Sequence, residues 1–537
     1  MRGADLLVRS LADAGVTRIF SLSGNQIMPV YDACFEAGIE IVHTRHEAAA
    51  VFMAEAYAQL TGGIGVAMVT AGAGAANALG PLFTAKESET PVLFLTGDSP
   101  RGQDGLGAFQ ELDQVPMTAP VTKLSFRPRK ASDLGRDAAR AIRTALSGRM
   151  GPVHMALPFD LAEDEAAAGA IPAKDAYRRE AMALSDEDTQ RIVQALAGAK
   201  QPVVICGPAM TETRNPGMAS KLAEALDAPV FAMESPRGLK DPSLGDVGTV
   251  LKSADLILNL GKRVDFTLGF GGTGTFDAAC RWIYVNADAE ERDRAHRNLG
   301  DRLVLAAAAD PRDAAVALTA QGRGGTARAD WRTKTAERLA ARGFTPGQAG
   351  SGDGVSPAQL CAAIQRQLDK AEETVLICDG GEFGQWAQAA TTGDRRIING
   401  ISGAIGGSLG YGLGAKKARP QATVFALMGD GTAGFHFAEF ETAARENTPF
   451  VAVIGNDLRW NAEHQIQMRE YGPNRLIGCQ LSDARYDQAV EGLGGHGEFV
   501  TDPAELDAAL ERAVASGKVA CVNVLIEGLP APSGPAH

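Results

Sequence analysis

Short apolar runs recur along the chain, each closed by a polar or glycine-containing turn and followed by residues at helical spacing. Residues 5–15 place apolar positions at the helical period and end at Gly15. Residues 18–22 read as a strand leading into the turn Ser23-Gly24-Asn25-Gln26. A helix over 29–37, a strand over 40–44, a small-residue helix over 48–60 and buried strands at 66–70 and 92–96 follow. Residues 163–186 lack an apolar period and read as a linker. A second alternating stretch has strands at 202–206, 230–232, 256–260 and 282–286. After a polar, Gly-rich connection over 320–354, with a short helix near 331–341, a third begins at Val355. The final LPAPSGPAH has too little apolar content to order itself unless it covers a site. The predicted class is α/β, with three doubly wound parallel-sheet domains at 1–163, 186–320 and 355–528.

One stretch of the third unit changes the picture from fold to chemistry. The apolar run 423–428 breaks into Gly429-Asp430-Gly431 before helix-like residues, and a second apolar run, 450–454, closes in Asn456-Asp457. Glycines at a strand-to-helix turn let backbone N–H groups close on an anion where the helix dipole also favours negative charge, so a phosphate is the natural occupant. Asp430 beside a phosphate calls for a cation. Parallel strands deliver their C-terminal ends to one edge of a sheet, so Asp430 and Asn456 are expected to converge on one ion, and oxygen donors of this kind suit Mg²⁺. An isolated Gly-Asp-Gly would be only a tight turn.

An internal repeat supplies the geometry. At a shift of 358, residues 66–70 fall on 424–428, Thr90-Pro91 on Thr448-Pro449 and Gly97-Asp98 on Gly455-Asn456. Three coincidences in one register predict two copies of one fold. The earlier copy has Ala71-Gly72-Ala73-Gly74 at its turn, without a carboxylate, so only the later one can hold a metal. Glu47 falls on Ile405, which sets a carboxylate and a β-branched side chain at matched places.

Length and composition bound the rest. The 537 residues are too many for one core. The net charge of −13 is spread along the chain and argues against nucleic acid as the main partner. Seven dispersed cysteines without a C-x-x-C pair suggest buried, reduced thiols rather than a disulfide framework or a zinc site. Neither a signal peptide nor a membrane-spanning apolar stretch is read, so a cytoplasmic enzyme is expected. The middle unit has Cys206-Gly207-Pro208 where a dinucleotide phosphate loop would be, which counts against a nicotinamide dehydrogenase; the Gly-rich run 269–274 could flank some ligand.

Gly-Asp-Gly followed 26 residues after the Asp by Asn456 resembles the thiamine-diphosphate signature of the pyruvate decarboxylase and acetohydroxyacid synthase superfamily, with Gly455 in place of the usual first Asn. The resemblance implies thiamine diphosphate and Mg²⁺, with the metal on Asp430, Asn456 and the Leu458 carbonyl. It also implies a diphosphate-binding turn of Gly429, Asp430, Gly431 and Thr432. TRHEAAAVFMAEAYAQLTGG resembles the family's Arg-His-Glu block, which implies that Glu47 hydrogen-bonds the pyrimidine N1′ and promotes removal of the thiazolium C2 proton. A lone Glu at a helix start would otherwise be a solvated cap. Residues 400–410 match the stretch that implies a Gly403 carbonyl for the 4′-amino group and Ile405 as the prop for the bent cofactor; the same glycines would also suit a closely packed helix. Glu382 and Phe383 are expected beside the diphosphate. The block 107–114 resembles acetohydroxyacid synthases, 2-hydroxyacyl-CoA lyases and benzaldehyde lyase, which implies contact of Gln110 with cofactor or substrate. Ser23 and Gln26 stand where benzaldehyde lyase and several decarboxylases place histidines, and His464 is the candidate replacement, unless it is simply an exposed helical His.

The two units meet across subunits in this superfamily, so a homodimer or homotetramer is implied. The implied reaction is C–C lyase or carboligase chemistry on 2-hydroxy or 2-oxo compounds through a C2 ylid and an enamine. A 2-oxo acid decarboxylase or acetolactate-type synthase is the alternative, and a non-catalytic cofactor-binding relative the rival of another class.

Overall fold

The computed structural model describes residues 1–166, 171–341 and 354–532, so parts of the expected linker, connection and tail lie outside the described residues. The first sheet is built from β1 (Arg18–Ser21), β2 (Glu40–His43), β3 (Gly65–Val69), β4 (Val92–Asp98), β5 (Leu124–Phe126) and β6 (Val153–Pro158) in the order β2-β1-β3-β4-β6-β5. The second has β7 (Pro202–Cys206), β8 (Val230–Ala232), β9 (Leu256–Leu260), β10 (Arg281–Val285) and β11 (Leu303–Ala307) in the order β11-β10-β9-β7-β8. The third has β12 (Thr374–Cys378), β13 (Arg395–Ile398), β14 (Thr423–Gly429), β15 (Val451–Asn456), β16 (His496–Val500) and β17 (Ala520–Leu525) in the order β13-β12-β14-β15-β17-β16. Every named strand pair is parallel. The first and third orders are the same winding, as two copies of one fold require.

The copies also agree at the turn that replaces the family's first Asn. A Cβ on Gly455 would overlap the Phe383 ring, and one on Gly97, its counterpart, would stand 2.6 Å from the Gln26 Cβ. In each copy the strand end is glycine because the helical segment that follows the first strand of its sheet folds down onto it. In the middle unit the turn after β7 is packed shut, with Gly207 against the Gly261 carbonyl. The cysteines among the described residues are free and buried, as expected. No helix among the described residues is long and apolar enough to cross a membrane.

The two copies pack through their small-residue helices, Glu47–Thr61 and Ser408–Ala418, which share one hydrophobic core. A Cβ on Gly414 would stand 2.3 Å from the Met53 carbonyl oxygen, and Phe52 meets Tyr411 edge-on at 5.2 Å. The closely packed helix that these glycines suit is thus packed on another helix, with Gly410 against Phe52 and Ala49.

Glu55 is buried in this seam and accepts from Ser88 Oγ at 2.5 Å, Tyr411 Oη at 2.9 Å and Gln59 Nε2 at 3.2 Å. Burial pushes its carboxyl up to about 7, above the value for an unfolded chain. The folded protein therefore holds a proton that the unfolded chain releases between about pH 4.5 and 7, and stability falls as pH rises through that window. Relative to Glu55→Gln, the wild type is expected to lose on the order of 3 kcal/mol between pH 4.5 and 8. Chemical denaturation of both proteins across that range reads the difference, and parallel pH curves would rule out this role for Glu55.

Candidate active site

The register Gly429↔Gly455 brings the ends of β14 and β15 side by side, so Asp430 and Asn456 follow at the same sheet edge, as the strand pattern predicts. The helix expected after the turn is divided into Asp430–Ala433 and Glu439–Arg445. Between them His436 Nδ1 bonds the Gly406 carbonyl at 2.7 Å and Phe435 packs onto Gly406, which pulls the chain out of one continuous helix.

A cavity of about 220 Å³ opens at this edge. Glu382, Phe383, Gly403, Ile405, Gly429, Asp430, Gly431 and Thr432 all line it, together with Arg237, Asp457, Arg459 and Trp460. Its floor is largely backbone: Gly431 lies under the Trp460 ring and Gly380 under Ile405, so a Cβ at either would clash. The ten-residue helix Gly381–Ala390 begins at its wall, giving N–H groups and a positive dipole end suited to a phosphate. The loop that presents Gly403 and Ile405 is held by Asp379, whose buried carboxylate accepts from the N–H groups of Gly380 at 2.7 Å, Gly406 at 2.9 Å and Ser408 at 3.0 Å.

Asp430 Oδ2 is buried without a hydrogen-bond partner. Burial pushes the Asp430 carboxyl up to about 6, and burial together with the Asp430 charge pushes Asp457 up to about 7. Two carboxylates crowded in a polar cavity, one with an orphaned oxygen, fit a hard divalent cation. Asn456 and Leu458 are placed differently from what the metal-ligand pattern implies. The Asn456 side chain lies on the face turned toward β17, donating to Asn523 Oδ1 at 3.2 Å and accepting from the Leu458 N–H at 3.2 Å. Leu458 takes a left-handed φ of 60°, and its carbonyl accepts from Gln480 Nε2 and the Leu481 N–H, both at 2.8 Å. Because successive side chains of a strand face opposite ways, it is Asp457 that lines the cavity beside Asp430.

His464 lies on the helix Asn461–Tyr471, half-buried, with Nδ1 unpartnered. Asn461 to Glu463 line the cavity and His464 does not. Burial and the Arg459 charge hold its pKa below the usual value for His. The described part of the tail, through Pro532, is tied beside the cavity: the Ala531 N–H donates to Glu382 at 2.5 Å and Arg237 Nη1 donates to the Pro532 carbonyl at 2.9 Å.

The first unit forms its own cluster. Glu47 opens its helix half-buried, with Asn77 Nδ2 at 3.1 Å from Oε2. Thr70 Oγ1 donates to Gln26 Oε1 at 2.5 Å and lies 3.5 Å from Gln110 Oε1. Gln110 is held at φ 59° with its backbone against Gly72. Glu47, Gln26 and Gln110 thus gather around Thr70 and Gly74, while Ser23 turns aside to His43 Nε2 at 3.2 Å. Thr70 and Asn77 escape a reading of sequence, although Thr70 ends a predicted strand at the edge that carries Gln26. Among the described residues, none that lines the Asp430 cavity precedes Pro236, so within one chain the described first unit leaves that cavity open.

A second cavity of about 730 Å³ lies in the central unit, lined by Arg237, Lys240, Lys252, Phe266, Gly269 and Gly274 among others. The Gly-rich run therefore does border a cavity, and Arg237 lines both.

Three family models match the chain in order. Residues 1–117 match the thiamine pyrophosphate enzyme N-terminal TPP-binding domain, 189–318 the central domain and 379–524 the C-terminal TPP-binding domain. A probable acetolactate synthase of Mycobacterium bovis is 33% identical over 98% of this chain and 96% of its own length. The 2-hydroxyacyl-CoA lyase 2 of Danio rerio is 29% identical over 98% of this chain and 91% of its own, and that of Homo sapiens 30% identical over 92% and 84%. The cavity's carboxylates and glycine floor, the paired sheets and these matches along the whole chain agree, and the chain belongs to the thiamine pyrophosphate enzyme family.

Proposed function

We propose that this enzyme is a Mg²⁺-dependent C–C lyase and carboligase acting on 2-hydroxy or 2-oxo carbonyl compounds, with units at 1–163, 186–320 and 355–528. The observation that carries the reading is the buried Asp430 carboxylate, whose Oδ2 has no hydrogen-bond partner, in a glycine-floored cavity at a helix N-terminus. Asp430 would anchor the cation, with the helix Gly381–Ala390 and the turn Gly429 to Thr432 holding the diphosphate. Asn456 and Leu458 would join the cation by releasing their present partners; Asp457 is the competing donor. When bound, thiamine diphosphate supplies a nucleophilic carbon that adds to a carbonyl and accepts the electron pair of a broken C–C bond. Gly403 would accept from the aminopyrimidine and Ile405 would hold the ring bent. Glu47 would come from a second copy of the chain, hydrogen-bonding N1′, with Gln110 and Gln26 beside the reacting carbonyl. A homodimer is then the smallest complete enzyme. His464 would serve only after a movement of its helix.

The shared Arg237 wall favours a substrate with an anionic extension. Its carbonyl would sit at the first cavity while its tail runs past Arg237 toward Lys240 and Lys252 in the second. A 2-hydroxyacyl thioester fits this better than a small 2-oxo acid. The test is a mass-spectrometric screen of the holoenzyme against aldehydes, acyloins, 2-oxo acids and 2-hydroxyacyl-CoA thioesters. Thioester cleavage, with KM raised about tenfold or more in Lys240→Ala and Lys252→Ala, is the expected outcome. Turnover of pyruvate with no thioester cleavage would instead favour the acetolactate-type reading.

A further inference from the structure

One short helix of the third unit holds the loop that carries Glu47. Glu439 Oε1 and Oε2 accept from the Arg45 N–H at 3.0 and 3.3 Å, and Thr442 Oγ1 donates to Glu439 at 2.7 Å. Two further residues of the same helix clamp the same loop: Arg445 Nη2 donates to the His43 carbonyl at 2.5 Å, and Glu441 lies 3.8 Å from the Arg45 guanidinium. Glu439 is 1% exposed, and its acceptor oxygens are met by donors alone. It lines neither cavity described above. A buried carboxylate costs free energy unless its partners need it, and here the partners are the backbone of Arg45 and the donor that fixes the carboxylate itself. The segment just before this helix reaches the other copy's counterpart of Glu47, because His436 bonds the Gly406 carbonyl next to Ile405.

We propose that Glu439 is a positioning residue for Glu47: by holding the backbone of the residues just before it across the boundary between the first and third units, it sets the first turn of the helix Glu47–Thr61 and so the aim of the Glu47 carboxylate. This rests on the reading of Glu47 given above. A helix start held only by its own cap, here His46 Nδ1 accepting from the Ala48 N–H at 3.1 Å, can fray, whereas a clamp from another unit fixes it. Displacement of a reacting group by about 1 Å costs on the order of a hundredfold in rate.

The test compares Glu439→Ala, Glu439→Gln and Thr442→Val with wild type and with Glu47→Ala. Amide hydrogen exchange of the apo protein reads the clamp directly: protection at Arg45 and His46 is expected to fall about tenfold or more in Glu439→Ala and to be partly kept in Glu439→Gln. In holoenzyme at saturating cofactor, exchange of the C2 proton is expected to slow about 10- to 100-fold in Glu439→Ala, with partial rescue in Glu439→Gln and cofactor affinity within about threefold of wild type. Should the alanine variant fail to fold, Glu439→Gln and Thr442→Val carry the same comparison at smaller amplitude. C2 exchange at the wild-type rate in these variants, or a loss that disappears once cofactor is saturating, would overturn the proposal while Glu47→Ala stays inactive in exchange. Normal C2 exchange in Glu47→Ala would overturn the underlying reading of Glu47 instead.

Discussion

Glu47→Ala is expected to slow C2 proton exchange of bound thiamine diphosphate by about 10²- to 10⁴-fold while leaving the cofactor in place. The two effects separate because the grip and the carboxylate come from different units. Diphosphate and metal contacts are proposed to belong to the cavity of the third sheet, which no described residue before Pro236 lines. Glu47 stands at the start of its own helix with Asn77 as its hydrogen-bond partner, so its loss leaves the floor of that cavity untouched. Glu47→Gln keeps the shape and the Asn77 contact but cannot take a proton, and it is expected to fall close to alanine in exchange rate. Rapid-quench exchange monitored by NMR measures this, with equilibrium titration of the cofactor as the control. A variant that exchanges normally, or that loses cofactor binding and exchange in proportion, would be incompatible with the proposed role.

Asp430→Ala is expected to lose metal and cofactor together, with apparent affinity for both reduced by about 100-fold or more. The reason lies in the energetics of the cavity's carboxylates. Asp430 is buried with an unpaired oxygen, and its carboxyl is pushed up to about 6 beside Asp457 at about 7, so the apo protein carries an electrostatic penalty that a divalent cation relieves. In the wild type, ligand at about 100 times its Kd should add about 2.7 kcal/mol of stability, visible as a rise in Tm. Asp430→Ala should show no such rise, yet its apo form should melt no lower than apo wild type, because the mutation removes the penalty. Thermal titration with Mg²⁺ and thiamine diphosphate together and separately reads both effects. Asp457→Asn and Asn456→Ala complete the comparison: the neighbour that shares the cation shows the larger loss of metal affinity. Full cofactor binding by Asp430→Ala would remove this carboxylate from the metal centre.

Much of this was legible in the order of residues. Buried parallel strands are continuous apolar runs, so 66–70, 92–96, 202–206, 256–260 and 423–428 stand out without help from tertiary context. Of the strands missed, β5, β11, β13 and β16 lie at sheet edges and carry charged or half-exposed residues, which weakens that signal, whereas β6 and β17 are interior and buried and went unread all the same. The repeat was legible because a gapless shift preserves spacing, and spacing is what a shared winding order conserves. Asp430 could be singled out because it follows a strand end directly, and Glu47 because it opens a helix four residues after one.

Which side chains meet was a different matter. Whether Asn456 or Asp457 faces the cavity depends on one step of strand alternation and on the left-handed Leu458, and spacing alone leaves both choices open. Arg237 and Trp460 enter the cavity from segments that no motif links to Asp430, and Glu439 reaches Arg45 from 394 residues away along the chain. The sequence by itself determined three wound sheets, their duplication and the position of two carboxylates along the chain, because periodicity and turn chemistry are local. Only the tertiary structure decided which of those groups share a cavity and that one chain leaves it open, because burial, helix contact and side-chain direction arise between segments that are far apart in sequence.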